Sequence, residues 1–264
     1  MVAILLGLAA LLSPEAGQSQ AQSPPASVAP APRAPKLDPR LTDAFRSVKA
    51  RRYEEARRDV DVYLRSAGAA HPGQAHFVAG LSYHQQHLYE SARARFARAV
   101  DLEPDYLTAY FFYGFALYNL GRLDEARQAL ERYLAFDPDA AEAAFGLGLV
   151  ALEQDRVDDA EGSFRRAIAL AEGQSPGKPM PAALREDVAR YEARLADVYL
   201  RRDDLPGARE ALERSLELWP DHFEPWHKLA LTLRRLGDSA GADRAQARYA
   251  EALQRRAAGG SPTP

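Results

Sequence analysis

The chain contains no cysteine, one asparagine, two methionines and two tryptophans. Without cysteine, there is no residue on which a disulfide, a thiolate metal site, a cysteine nucleophile or a thiol-linked lipid could form. The lone asparagine, Asn119, is followed by Leu-Gly and is no N-glycosylation acceptor. No apolar run approaches the roughly 20 residues that span a bilayer; the longest lies at residues 2–12. Neither sign of charge predominates. The 34 Lys and Arg against 37 Asp and Glu leave a net charge of −3, which gives no electrostatic case for a nucleic-acid partner. Strand-like alternation is scarce, and P-loop and H-E-x-x-H motifs are missing. Present instead are Ala, Leu, Arg and Glu in abundance, all helix formers.

The N-terminus reads separately from the rest. Residues 2–12 suit the apolar section of a signal peptide, and Ser19-Gln20-Ala21 offers small residues for cleavage after Ala21. A basic flank is missing, so residues 1–21 are expected to be an atypical signal peptide or a short uncleaved anchor. The expected location is exported, periplasmic or secreted, with membrane tethering as the alternative. Residues 22–39, "QSPPASVAPAPRAPKLDP", form a Pro/Ala-rich spacer that cannot build a core. Residues 257–264 are expected to be a tail.

Between these ends the sequence repeats. Ala56, Ala92, Ala126, Ala160, Ala208 and Ala242 sit in related surroundings, such as "YEEARRDV", "LDEARQAL" and "LPGAREAL", at gaps of 36, 34, 34, 48 and 34. Pro104, Pro138 and Pro220 each follow their alanine by 12 residues. The pattern within each copy predicts a helix, a turn at Gly121, Asp155, Asp203 or Gly237, and a second helix of about 12 residues that a proline often ends. Acidic pairs such as Asp124 and Glu125 fall in the first turn of the second helix. There they complement the helix dipole, worth roughly 0.3–1 kcal/mol each, and they are not paired-carboxylate catalysts.

A 34-residue helix–turn–helix period with these residues resembles the tetratricopeptide repeat family. The third copy carries the resemblance best, with Tyr110, Gly114, Leu117, Ala126 and Pro138 in the family's slots. Others carry Gly80, Ala92, Phe96 and Pro104; Gly148, Ala160 and Phe164; Ala196, Ala208 and Leu212; and Trp226, Ala230 and Ala242. The resemblance implies an all-α solenoid of about six repeats in a right-handed superhelix over residues 40–256. Its copies fall at about 37–70, 73–106, 107–140, 141–174, 181–222 and 223–256. Gln246, where earlier copies have Phe96, Leu130, Phe164 and Leu212, reads as a solvated cap. The gap of 48 adds 14 residues. They predict a Gly/Pro loop and then an extended first helix over 181–200, projecting about two turns. The insertion at 175–188 is either a harmless loop or a ledge.

Candidate chemistry is thin. Gly146-Leu147-Gly148-Leu149-Val150-Ala151 fits G-x-G-x-x-A, but it lacks the preceding strand that a dinucleotide site needs. His84 and His87, with His71 and His76 nearby, suggest a metal site for which no further ligand is in place. No cofactor, metal or catalytic residue is expected. The resemblance implies a concave groove lined by first helices. Carried over, the family's offsets put Phe77, Leu81, Phe111, Phe115, Tyr118, Asn119, Phe145 and Leu149 in a peptide-binding groove. Arg190, Arg201, Arg234 and Arg235 would form its basic end. The expected partner is another protein, presenting a peptide or helix. The expected function is a non-catalytic adaptor; the alternative is a structural subunit of an envelope assembly.

Overall fold

The computed structural model describes residues 37–66 and 68–257. The signal or anchor, most of the spacer and the tail lie outside the described residues. What is described is helical throughout, without a strand among the described residues, and it is an α-solenoid of helical hairpins. The chain divides into two compact units, Met1–Pro138 and Asp139–Pro264.

Unit 1 opens with a 3-10 turn, Pro39–Leu41, and continues with α1 (Thr42–Lys49), α2 (Tyr53–Arg65), α3 (Pro72–His84), α4 (Tyr89–Leu102), α5 (Thr108–Asn119) and α6 (Leu123–Phe136). Unit 2 holds α7 (Ala141–Glu153), α8 (Val157–Gly173), α9 (Ala182–Arg201), α10 (Leu205–Leu218), α11 (Phe223–Arg235) and α12 (Ser239–Ala257). In each unit a helix packs on the next in sequence, with lesser contacts between alternate helices such as α3 and α5 or α7 and α9.

The folded part begins earlier than residue 40. Leu37 and Asp38 are buried. The Asp38 carboxylate accepts from the Arg40 backbone N–H (2.9 Å), the Arg40 guanidinium (2.9 Å) and the Tyr63 hydroxyl (2.7 Å), and the Asp38 N–H donates to Gln74 Oε1 (2.6 Å). The Arg40 side chain holds the Asp38 carboxyl far below the usual carboxylate range, and the Tyr63 hydroxyl adds to the effect.

The turn inside each repeat has one construction. Arg51, His87, Gly121, Asp155, Asp203 and Gly237 all have φ between 57° and 84°, five residues before the respective marker alanine. Each donates its N–H to the carbonyl three residues back, and the next residue donates to the carbonyl five back, as Gly121 to Tyr118 and Arg122 to Leu117. This is the Schellman C-cap, which satisfies carbonyls that the ending helix leaves open. Four of the six residues are not glycine, and the conformation costs an L residue about 1–2 kcal/mol. The second helix then opens on its acidic turn. Arg122 reaches Glu125 (2.6 Å) and Arg156 reaches Asp159 (2.6 Å), so the carboxylates serve an ion pair as well as the dipole.

Within each hairpin the crossing needs a small residue. A Cβ on Gly80 would lie 2.5 Å from the Phe96 ring, and one on Gly148 2.5 Å from the Phe164 ring. At the same crossing α9 has Ala196 against the smaller Leu212, both fully buried. The extra residues of the fifth repeat are shared between two helices. α8 has 17 residues and α9 has 20, against 12 to 14 in α3 to α7 and in α10. Met180 and Leu184 pack on the core around Ile168, Ala171 and Val188. The insertion is therefore anchored to its own unit by apolar contact.

Candidate binding surface

Unit 1 was expected to offer Phe77, Leu81, Phe111 and Phe115 to a ligand. Phe77 is fully buried, with Tyr106 at 5.2 Å, Phe112 at 5.5 Å and Phe96 at 5.9 Å, and Leu81 is buried beside it in the same helix. Phe111 meets Phe115 edge-on (5.0 Å) and Tyr133 at a tilt (5.3 Å), and both phenylalanines are buried. In unit 2 Phe145 is likewise buried, 4.6 Å from Tyr191 and 5.6 Å from Phe164. These five side chains are core, which corrects the groove assignment. Phe77 and Phe145 touch rings of α5 and α9. The offset carried over for them thus points at the next first helix and not at a ligand. Tyr118 and Leu149 are half-buried, and Asn119 is exposed with its amide donating to the Phe115 carbonyl at 2.7 Å.

The basic end is also spent internally. Arg190 pairs with Glu142 (3.0 Å) and Asp187, its guanidinium 5.7 Å from the Phe145 ring centre. Arg201 donates to the Leu152 carbonyl and to Asp155 (3.2 Å), and Arg235 pairs with Asp203. Asp155 and Asp203 are the left-handed turn residues of the fourth and fifth repeats, so each turn is tied to an arginine one repeat later. Arg234 alone of the four is exposed and outside any ion pair described.

Sequence reasoning missed a larger feature of unit 2. A chain of ion pairs runs over α9 and α11: Arg194 to Asp197 (3.1 Å), Lys228 to Asp197 (2.6 Å) and Lys228 to Glu224 (3.0 Å). Glu142–Arg190 joins α7 to α9 in the same way. Glu142, Arg190 and Glu224 occupy one phase of successive repeats with alternating sign, and that was the available signal. A second buried charge, Glu192, is bridged by Arg214 at 2.7 Å, with Glu172 on the same guanidinium. Burial pushes the Glu192 carboxyl up to about 7.

The histidines do not converge. His84 is buried among Tyr89, Phe96 and Phe112 with no partner for either ring nitrogen. His87 meets the Tyr89 hydroxyl (2.7 Å), His76 meets Arg95 (3.2 Å) and His71 faces Glu103 (3.6 Å). No group of three ligating side chains is placed to hold a metal among the described residues. Gly146 and Gly148 lie inside α7, where Gly148 makes room for Phe164. No helix among the described residues is long and apolar enough to cross a membrane.

Three tetratricopeptide repeat profiles match residues 83–147, 116–179 and 189–232, together more than half of the chain. The chain belongs to the tetratricopeptide repeat (TPR) family. Among solved structures it is similar to MamA from Desulfovibrio magneticus RS-1, with 19% identity and a TM-score of 0.57 over 70% of this chain and 98% of that one. It is also similar to YrrB, described as a TPR protein with an unusual peptide-binding site. That match has 20% identity and a TM-score of 0.57, covering 73% of this chain and 91% of that one. PilF of Pseudomonas aeruginosa gives 20% identity and a TM-score of 0.58 over 68% and 76%. No curated protein matches the sequence significantly. These likenesses bear on the fold.

Proposed function

We propose that this TPR protein is a non-catalytic scaffold that holds a peptide or helical segment of a partner protein along its first helices. The observation that carries the reading is the pairing of TPR hairpins with two adjacent side chains that reach solvent at the end of one first helix. Tyr118 and Asn119 lie together at the end of α5 in unit 1. Tyrosine is a favoured anchor at interfaces because it buries a large rigid ring and keeps a hydroxyl for hydrogen bonding. The peptide-binding site for which YrrB is described supports the same reading. Residues 2–12 and Ser19-Gln20-Ala21 support a place outside the cytoplasm, which sequencing of the mature N-terminus tests.

The experiment is crosslinking in the native cell followed by mass spectrometry, repeated with Tyr118→Asp and Asn119→Arg together. The partner captured by the unaltered protein is expected to be lost while helicity by circular dichroism is retained. Undiminished capture of the same partner by the double variant would overturn the reading.

A further inference from the structure

The inward stripes of α3 and α7 have the same destination, the next first helix of their own unit. Phe77 and Leu81 of α3 are 0% and 1% exposed, with Phe112 of α5 against Phe77; Phe145 of α7 is 6% exposed against Tyr191 of α9. The same two positions in the sixth repeat are His227 and Leu231. Both are exposed, Leu231 at 45%. No element among the described residues covers them.

The surroundings of the pair are built differently from those of earlier repeats. Where α9 and α10 cross through Ala189 and Ser215, both fully buried, α11 and α12 carry Phe223 and Tyr249, both half-buried. The Tyr249 ring lies 5.1 Å from His227 and 6.4 Å from Phe223. Phe223, His227 and Leu231 follow one another at intervals of four on one side of α11, with Tyr249 beside them. Two cations rim the strip. Arg256 lies 4.8 Å over the Phe223 ring, and Arg234 is exposed; no ion pair of either is described.

We propose that this strip is a docking site for an amphipathic helix of a partner protein, seated where the first helix of a further repeat would lie, with acidic residues flanking its apolar face. Continuity with the stacking interface fixes the shape of the occupant. For α3 and for α7 the stripe is met by the leading helix of the next hairpin, which presents a ring, Phe112 or Tyr191. The positive charges of Arg234 and of Arg256, the latter lying over the Phe223 ring, fix its charge. The strip shares no residue with the Tyr118 and Asn119 pair of the proposed function.

The test uses the full chain and synthetic peptides. The probe is a fluorescein-labelled peptide with the sequence of α9, the helix that meets Phe145, with Arg190 and Arg194 replaced by glutamate. Its scrambled form is the control. Fluorescence anisotropy is expected to show saturable binding of the probe and none of the scrambled peptide. Leu231→Asp is expected to weaken binding by about tenfold or more, because a carboxylate would be buried under the helix. Val62→Asp, at a 66% exposed site in unit 1, is expected to leave it unchanged, as is the Tyr118→Asp, Asn119→Arg pair. Absence of saturable binding, or equal binding by Leu231→Asp, overturns the proposal. So does sedimentation showing that the unaltered chain self-associates and that Leu231→Asp disperses it, since the occupant would then be a second copy.

Discussion

Replacing His84 by leucine is expected to raise stability and to remove part of its dependence on pH. His84 is 4% exposed, ringed by Tyr89 at 5.5 Å and by Phe96 and Phe112 at 6.3 Å. Neither ring nitrogen has a partner. Burial holds the imidazole pKa down to about 4, and His87 adds to the depression, against 6.5 for a free histidine. The unfolded chain therefore binds a proton that the folded chain refuses. Stability is full above pH 6.5 and is lost as pH falls from there toward 4. Between pH 7 and pH 5 this one group accounts for a loss of about 2 kcal/mol, from about 1.4 kcal/mol per pKa unit. Leucine suits the site, because Leu152 stands at the same phase two repeats later and is buried there. At pH 7 the exchange also removes two unsatisfied buried nitrogens, each worth roughly 1–3 kcal/mol, against a repacking cost of about 1.5 kcal/mol or less. Urea unfolding followed by circular dichroism at pH 7 and pH 5 reads both effects. His222 in unit 2, also depressed to about 4 by burial, titrates in both proteins and cancels in the difference. An equal loss on acidification in both proteins would refute the argument, as would a variant less stable at pH 7.

Three further outcomes follow from the packing. Gly148→Ala is expected to lower stability by about 1–3 kcal/mol through overpacking against Phe164, and Phe164→Leu in the same chain should recover much of it, as the Ala196–Leu212 crossing indicates; thermal melts of the single and double variants decide. Arg51→Gly relieves a left-handed residue and is expected to stabilise by about 0.5–1 kcal/mol net of glycine's added freedom in the unfolded chain; an unchanged or lower urea midpoint would count against it. Arg235→Ala removes the tie to Asp203 between two exposed side chains and should cost no more than about 1 kcal/mol, shrinking as salt is raised; a larger, salt-independent loss would mean that the contact is not mainly ionic.

How far the sequence could be read depended on the range of the interactions. The marker alanines located the hairpins because a small residue at a crossing and a C-cap five residues before it are both local requirements. Gly80, Gly114 and Gly148 were legible as crossing residues for the same reason, and so was the long first helix of the fifth repeat, expected at 181–200 and found at Ala182–Arg201. The binding surface was not legible. Phe77 and Phe145 lie on helix faces that sequence pattern marks as apolar, but whether an apolar face meets solvent or a neighbouring repeat is set by the rotation of one hairpin against the next. Arg201 and Arg235 looked free because their carboxylates lie 46 and 32 residues away, whereas Arg190 has Asp187 three residues back as well as Glu142 48 residues back, and that nearer partner was overlooked. Asp38 was hidden in a proline-rich stretch whose composition gave no hint that its last residues are bound by Tyr63 and Gln74.

The six identical turns bear on how the molecule is made. Each is closed by hydrogen bonds spanning at most five residues, and the substantial helix contacts join only nearest or alternate neighbours in the chain. A hairpin with so short a turn has little closure entropy to overcome before its own contacts form. A hairpin can therefore form once its own few dozen residues have left the ribosome, and each completed hairpin is a ready template for the next while the chain is still being synthesised.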